Sequence, residues 1–133
     1  GNNINSSDFL GKKVVLYFYP KDDTPGCTAE ACSFRDNYST LQKAGLTIIG
    51  VSPDSVKKHS NFTEKYNLPF PLIADVDLKI IKSYGVWGIK KMYGKEYEGV
   101  YRETFIIDES GKIHAIINKV KTKESAEQIL SLI

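Results

Sequence analysis

Two cysteines and the turn before the first of them are the residues of this chain best suited to chemistry. Cys27 follows residues 20–26 (PKDDTPG), Cys32 comes five positions later, and the chain has only these two cysteines. Cys27 is predicted at the start of a helix, directly behind an apolar strand. Unpaired backbone N–H groups and the helix dipole favour a thiolate there. The sequence therefore predicts a nucleophilic sulfur, with two buried structural cysteines as the alternative.

The composition limits the possible partners. The chain has 133 residues, 41% apolar and 26% charged, which is ordinary for one soluble globular domain. A net charge of +2 is too small to suggest nucleic acid. No apolar run approaches the roughly 18 residues that cross a membrane, and two cysteines are too few for a disulfide-scaffolded secreted domain. We expect no nucleic acid and no membrane partner, and a cytoplasmic location; an organelle or the nucleus is the alternative if a targeting segment has been removed.

Strand and helix patterns alternate along the chain without an internal repeat. We expect residues 86–100, which are rich in Gly, Tyr and Lys, to form a loop, and residues 109–112 to form a hairpin turn. The predicted strands are 14–19, 46–51, 70–74, 104–108 and 113–117. The predicted helices are 28–44, 52–66, 78–84 and 123–132.

The order βαβαβαββα predicts the fold. Right-handed parallel crossovers come first and an antiparallel hairpin follows, which gives a central mixed β-sheet flanked by helices in three α/β/α layers. This is the arrangement of thioredoxin-like folds, here as a single domain over residues 1–133. It places Cys27 at the carboxyl end of a central strand, where open α/β sheets bind ligands.

Several chemistries can be set aside from the residues present. A Cys-His hydrolase needs an imidazole base, but neither His59, on a predicted surface helix, nor His114, in a predicted strand, has a sequence cue linking it to Cys27. The spacing of the two cysteines fits no zinc site, and no glycine-rich phosphate loop occurs. Cysteine redox chemistry remains, although a thioredoxin-type enzyme would have Cys-x-x-Cys.

The residues around Cys27 resemble the peroxiredoxins. Pro20, Thr24 and Cys27 match the Pro-x-x-x-Thr-x-x-Cys signature of that family. The neighbouring sequence is similar to the peroxiredoxin Q branch, also called bacterioferritin comigratory protein. The resemblance covers residues 11 to 130, and its motifs are 22–28 (DDTPGCT), 32–36 (CSFRD), 84–88 (YGVWG) and Arg102 before 104–108 (TFIID).

The resemblance implies a thiol-dependent peroxidase that reduces hydrogen peroxide and alkyl hydroperoxides. Cys27 would be the peroxidatic cysteine, oxidised to sulfenic acid, and Cys32 the resolving cysteine, which closes an intramolecular disulfide that thioredoxin or a similar dithiol reduces. No metal and no organic cofactor is implied, and we expect a monomer or a weak dimer. Five residues along a helix separate Cα atoms by about 8–9 Å, beyond the roughly 7 Å that a disulfide spans. The helix must therefore unwind when the disulfide forms.

The resemblance also implies roles for four other residues. Arg102 would stabilise the thiolate and polarise the peroxide through its rigid fork of donors. Thr24 would orient the peroxide, and Pro20 would shield the thiolate. Glu30 would brace Arg102, or would instead be a solvent-facing carboxylate favoured by the helix dipole.

Two other functions stay open on the sequence. A thioredoxin-like disulfide oxidoreductase is disfavoured by the cysteine spacing and by the absence of proline from residues 101–104, where thioredoxins have a cis-proline. A redox-regulated binding module would use peroxide-driven unwinding to change a partner surface. Peroxiredoxins also carry a small hairpin before the first core strand, most of which this sequence does not have, so we expect that the N-terminal part has been trimmed.

Overall fold

The structure, a computed structural model, describes residues 11–132, apart from the side chain of Met92. The segment before the first strand, for which trimming is expected, lies outside these residues. The strands are β1 Lys13–Phe18, β2 Leu46–Ser52, β3 Leu72–Ala74, β4 Trp87–Met92, β5 Lys95–Val100, β6 Glu103–Ile107 and β7 Ile113–Ile117. The helices are α1 Pro25–Asp36, α2 Tyr38–Lys43, α3 Val56–Tyr66, α4 Lys79–Ser83 and α5 Ser125–Leu130, the last preceded by a 3₁₀ turn at Thr122–Glu124.

Five strands form one mixed sheet in the order β3-β2-β1-β6-β7. Strand β1 pairs parallel with β2, and β2 pairs parallel with β3. Strand β6 pairs antiparallel with both β1 and β7. The mixed sheet and the order of its parallel and antiparallel parts are as the sequence predicts. Because β1 is the central strand, the segment that follows it emerges over the middle of the sheet.

Helices cover both faces of this sheet. Alternate residues of β1 point to opposite faces, as expected for a strand. Val15 and Tyr17, with Tyr19 just after the strand, join one apolar cluster with buried side chains of α1, α2, α3 and α5, and Cys27 belongs to this cluster. The residues between them join a second cluster with α4 and the base of the β4–β5 hairpin. No helix within residues 11–132 is long and apolar enough to span a bilayer.

The expectation that residues 86–100 form a loop is wrong, because they form the two-stranded hairpin of β4 and β5. Its turn consists of Tyr93 and Gly94, whose φ angles are 53° and 76°. Two successive positive φ angles are typical of the type I′ turn, which matches the twist of the strands. The strands have few β-branched residues, and Gly88 faces Gly99 across them. Their sequence therefore lacks the usual strand pattern.

The first helix begins earlier and ends sooner than predicted. It starts at Pro25, because Thr24 has the extended conformation of an N-cap residue and proline is favoured at the first helical position. The helix is interrupted at Asn37, whose side-chain Nδ2 donates to the Ser33 carbonyl at 2.8 Å. This competing hydrogen bond is the reason that the predicted helix 28–44 is divided into α1 and α2.

The next helix begins later than its predicted start at residue 52. Ser52 ends β2, and Ser55 is the N-cap, accepting a hydrogen bond from the Lys58 N–H at 3.2 Å. The predicted end is confirmed, because Asn67 has the left-handed conformation of a C-cap residue.

Candidate active site

The first turn of α1 presents Cys27 to the end of the central strand. The Thr28 N–H donates to the Thr24 carbonyl at 2.8 Å, which closes this turn. Gly26 and Cys27 precede that bond, so their N–H groups belong to the unpaired donors at the positive end of the helix. Cys27 is only 1% exposed. The structure therefore places the sulfur where the sequence predicts it, in a position that favours negative charge.

Arg102 connects Cys27 to a buried carboxylate. Its Nη2 donates to Cys27 Sγ at 3.0 Å, and its Nη1 donates to Glu30 Oε1 at 2.7 Å. A Cβ atom added to Gly26 would lie 3.3 Å from Nη2, so the missing side chain there leaves room for the guanidinium. Gly26 was not among the predicted site residues; the signal for it in the sequence is a glycine directly before the cysteine.

Glu30 is fully buried, so the alternative prediction that its carboxylate faces the solvent is wrong. Burial raises the pKa of Glu30 to about 7, although Arg102 opposes the shift. Burial also acts to lower the pKa of Arg102, but the charges and hydrogen bonds of Glu30 and Cys27 outweigh it and the net shift is upward. Arg102 therefore remains a cation, while Glu30 changes charge near neutral pH.

An aromatic layer from β1 lies beneath the site. The ring of Tyr17 is 4.8 Å from that of Phe34 and stacks at 5.4 Å on Tyr19. Burial raises the pKa of the Tyr17 phenol well above its usual value, and the charges of Glu30, Asp22 and Cys27 add to that shift. The layer excludes water from one side of the site, and the low dielectric strengthens the attraction between Arg102 and a thiolate.

Thr24 and Pro20 lie near Cys27 along the chain, but unlike Arg102 they form no side-chain hydrogen bond to Cys27 among the described residues. The Thr24 hydroxyl donates to the Lys21 carbonyl at 2.9 Å, which fixes the turn before the helix. Among the side-chain hydrogen bonds of residues 11–132, none joins Thr24 to Cys27. Pro20 is half-buried just after β1.

Cys32 lies further along the same helix. Because α1 runs unbroken from Pro25 to Asp36, it carries both cysteines, and both are free thiols. Cys27 is buried, whereas Cys32 is partly exposed.

A buried polar network holds the segment that follows β1. The Tyr19 hydroxyl donates to Asp22 Oδ1 at 2.6 Å, and the Asp22 N–H donates to Asp54 Oδ2 at 2.8 Å. His59 lies between Asp22 Oδ2, 2.6 Å from Nδ1, and the Ile73 carbonyl, 2.9 Å from Nε2. His59 is only 5% exposed, so the expected surface position on α3 is wrong. The hydrogen bonds of the His59 ring to Asp22 and to the Ile73 carbonyl hold this face of α3 against the rest of the protein.

The network does not fit a metal site, although possible ligand atoms of Asp22, Asp54 and His59 lie within 4.8 Å of one another. His59 Nε2 must donate, because a carbonyl can only accept. Burial acts to lower the pKa of His59, but the hydrogen bond and charge of Asp22 raise it above its usual value. Because Nε2 donates to the Ile73 carbonyl and Nδ1 lies 2.6 Å from Asp22 Oδ2, neither ring nitrogen is free to bind a metal, so the contacts support a structural role for His59.

Comparison with known proteins decides the family. The AhpC/TSA family model matches residues 1–116. The chain is 52% identical over 130 residues to the putative peroxiredoxin Bcp of Coxiella burnetii, covering 98% of this chain and 86% of that protein. This chain belongs to the AhpC/TSA family and is a peroxiredoxin. A further relative, the peroxiredoxin Bcp of Bacillus subtilis, is 49% identical to it over 130 residues, covering 98% of this chain and 83% of that protein.

Solved structures place this peroxiredoxin in the predicted branch. The bacterioferritin comigratory protein of Xanthomonas campestris superposes with a TM-score of 0.92 at 39% identity, covering 98% of this chain and 82% of that one. The peroxidoxin BcpB of Mycobacterium tuberculosis superposes with a TM-score of 0.82 at 34% identity, covering 95% and 81%. The thioredoxin-like fold and the peroxiredoxin Q resemblance are thus confirmed. The protein is a thiol-dependent peroxidase, which acts on peroxides and needs a thiol reductant.

The buried carboxyl gives a pH-dependent prediction. The pKa of Glu30 is about 7 in the folded protein against 4.5 for an ordinary glutamate. Between these pH values the folded state holds a proton that the unfolded state has lost, so stability contributed by the neutral form falls as the pH rises. Glu30→Gln stays neutral over this range, so its stability does not fall in the same way. The free energy of unfolding of Glu30→Gln, relative to that of the wild type, should therefore rise by about 1–3 kcal/mol between pH 4.5 and pH 7.5.

Urea unfolding of the reduced proteins at several pH values measures this difference. Glu127→Gln, at an exposed position of α5, is the control and should follow the wild type throughout. Parallel profiles for Glu30→Gln and the wild type would show that Glu30 does not titrate in this range.

Proposed function

We propose that this peroxiredoxin reduces hydroperoxides through the thiolate of Cys27. The observation that carries the proposal is the 3.0 Å hydrogen bond from Arg102 Nη2 to Cys27 Sγ at the first turn of α1. The sulfur attacks the terminal oxygen of ROOH, a sulfur–oxygen bond forms and the O–O bond breaks. Cys27 becomes sulfenic acid, oxidised by two electrons, and the other oxygen leaves as alkoxide or hydroxide and takes up a proton.

Arg102 has two tasks in this mechanism. In the resting enzyme it pairs with the thiolate, and as the O–O bond breaks it stabilises the negative charge that develops on oxygen. The guanidinium suits both because its donors form a rigid planar fork. Glu30 braces the fork through its 2.7 Å contact with Nη1, which leaves Nη2 directed at the sulfur.

The residues before the helix shape the space that receives the peroxide. Thr24 precedes the first turn, and its hydroxyl can donate to and accept from a bound peroxide after leaving the Lys21 carbonyl. Pro20 offers no N–H and shields the thiolate side of the pocket from water.

Cys32 completes the cycle as the resolving cysteine. Its thiolate attacks the sulfenic sulfur of Cys27, a sulfur–sulfur bond forms and the sulfur–oxygen bond breaks, and the oxygen leaves as hydroxide, which takes up a proton from the solvent to give water. Both residues lie on α1, where helical geometry holds their Cα atoms about 8–9 Å apart, beyond the reach of a disulfide. The first turns of α1 therefore unwind before the bond closes, and the exposed disulfide becomes accessible to a reductant.

The substrates are hydrogen peroxide and alkyl hydroperoxides, and the reductant is thioredoxin or a similar dithiol. Support for alkyl hydroperoxides comes from the Xanthomonas campestris relative, which is described by its alkyl peroxide reduction activity. A dithiol matches the chemistry, because two thiols reduce one disulfide by exchange. We propose that the enzyme works as a monomer or a weak dimer, without nucleic acid or membrane, in a reducing compartment such as the cytoplasm.

Single substitutions should separate the two cysteines. Cys27→Ser should abolish peroxide consumption, because the chain has no other nucleophile at the site. Cys32→Ser should keep the first oxidation but lose thioredoxin-dependent turnover, and it should overoxidise more readily because its sulfenic acid has no partner.

Peroxide consumption coupled to thioredoxin measures turnover, and mass spectrometry of the intact protein measures sulfinic acid. Equal single-turnover rates for the wild type and Cys27→Ser would exclude Cys27 as the nucleophile.

The guanidinium fork of Arg102 should be required as well as its charge. Arg102→Lys keeps the charge but loses the planar donors. We expect the rate constant for the first oxidation to fall by about 10²-fold, comparable to the loss of one preorganised donor to a developing oxyanion.

The control is Arg35→Lys, since Arg35 hydrogen-bonds to Asp36 and to the Tyr66 carbonyl rather than to Cys27. Rapid-mixing kinetics with hydrogen peroxide compares the two variants. A loss of less than about threefold for Arg102→Lys would mean that Arg102 has only a structural role.

A further inference from the structure

Lys90 lies in the β4–β5 hairpin, and the mechanism above does not use it. It is half-buried, although lysine side chains usually extend into water. Its neighbour Lys91 follows the usual pattern, because its side chain is 76% exposed and its Nζ lies 3.6 Å from Glu96 on the facing strand. Among the ion pairs of the described residues, none involves Lys90.

The side chain of Lys90 lies along the strand that leads to Arg102. A Cβ atom added to Gly99 would lie 3.1 Å from Lys90 Cδ, so the aliphatic stem packs directly on that glycine. The ammonium group donates to the Val100 carbonyl at 3.0 Å. Lys90 therefore covers the last two residues of β5, and only Tyr101 separates its contact from Arg102.

The base of the hairpin is held on both sides of this contact. The Tyr101 N–H donates to the Val86 carbonyl at 2.7 Å, and the Tyr101 hydroxyl donates to the Ile89 carbonyl at 3.0 Å. Val100 itself is 1% exposed. A carbonyl with a charged donor in such surroundings is firmly placed, because charge-assisted hydrogen bonds are stronger than neutral ones.

The ammonium group of Lys90 lies on the segment that carries Arg102, because the Val100 carbonyl to which it donates is two positions before Arg102. Burial lowers the pKa of Lys90, the nearby Arg102 lowers it further, and the charge of Cys27 acts in the opposite direction. Two cations held close together repel each other. A thiolate at Cys27 relieves that repulsion, because a negative charge there attracts both cations.

We propose that Lys90 is a positioning residue of the peroxidase site, which fixes the segment Val100–Arg102 through the Val100 carbonyl and adds a second positive charge to the field at Cys27. This inference rests on the proposed role of Cys27 and Arg102. It makes the hairpin part of the active site and explains the two contacts of Lys90 on β5. The charged or titratable side chains that act on the sulfur or on its partner Arg102 are then Lys90, Glu30 and Tyr17.

The test uses Lys90→Met, which keeps an unbranched side chain that matches the apolar stem of lysine but removes its charge and its donor. Lys90→Arg restores both, and Lys91→Met is the matched control on the neighbouring residue. All three carry Cys32→Ser, so that Cys27 is the only thiol. The first measurement is the rate of alkylation of Cys27 by iodoacetamide against pH, which requires no peroxidase activity. The second is the rate constant for reaction with hydrogen peroxide.

With Lys90→Met, the alkylation profile should move to higher pH, and the rate constant with peroxide at pH 7 should fall by roughly 3- to 10-fold, as the loss of one partly screened charge implies. Lys90→Arg should restore most of the alkylation profile and most of the rate constant with peroxide. Lys91→Met should behave like the Cys32→Ser parent. If Lys90→Met folds and matches Lys91→Met in both measurements, the inference is wrong while the proposed function stands.

A second variant keeps the inference testable if Lys90→Met does not fold. Lys90→Gln keeps a donor on an uncharged side chain, and it should show the same displacement of the alkylation profile. A profile unchanged in Lys90→Gln would overturn the inference. Failure of the parent protein to react with peroxide would instead overturn the proposed function, and the alkylation profiles would still decide the part played by Lys90.

Discussion

The contact between the Arg102 guanidinium and the Cys27 sulfur is the interaction on which the rest of the site depends. It joins the first turn of α1 to the segment between β5 and β6, and both arrive there because β1 lies at the centre of the sheet. Gly26 leaves room for the guanidinium, and Glu30 binds its other end from within the same helix. Because Cys27 and Glu30 are buried, each charge in this chain of contacts affects the next one strongly.

The same helix that builds the site also keeps the two cysteines apart. Its first turn supplies the N–H groups that favour a thiolate, and its regular rise places Cys32 out of reach. Ala31 and Phe34 are fully buried on the inner face of α1, so unwinding loses some of their packing. The Thr24 side chain makes no capping hydrogen bond to the helix among the described residues. The first turn of α1 therefore lacks the stabilisation of a side-chain cap, which suits a segment that must open in every cycle.

Much of this arrangement can be predicted from the sequence because it rests on local patterns. The order of the strand and helix patterns was sufficient to predict the mixed sheet, and the apolar run of β1 with the motif around Cys27 was sufficient to predict the position of the thiol. The β4–β5 hairpin was missed because it depends on the positive φ angles of Tyr93 and Gly94 and on paired glycines, which resemble a loop in sequence. The burial of Glu30 and the inward turn of His59 depend on partners distant in sequence, so no local pattern reveals them.

Amide hydrogen exchange on the reduced and the oxidised protein tests the central claim most directly, namely that α1 must open to join Cys27 to Cys32. Oxidation with one equivalent of hydrogen peroxide should speed exchange within residues 24–36, while the strands of the central sheet keep their protection. Net stability need not fall by the same amount, because the new disulfide also restricts the unfolded chain. Unchanged protection in residues 24–36, with a Cys27–Cys32 disulfide established by mass spectrometry, would contradict the account.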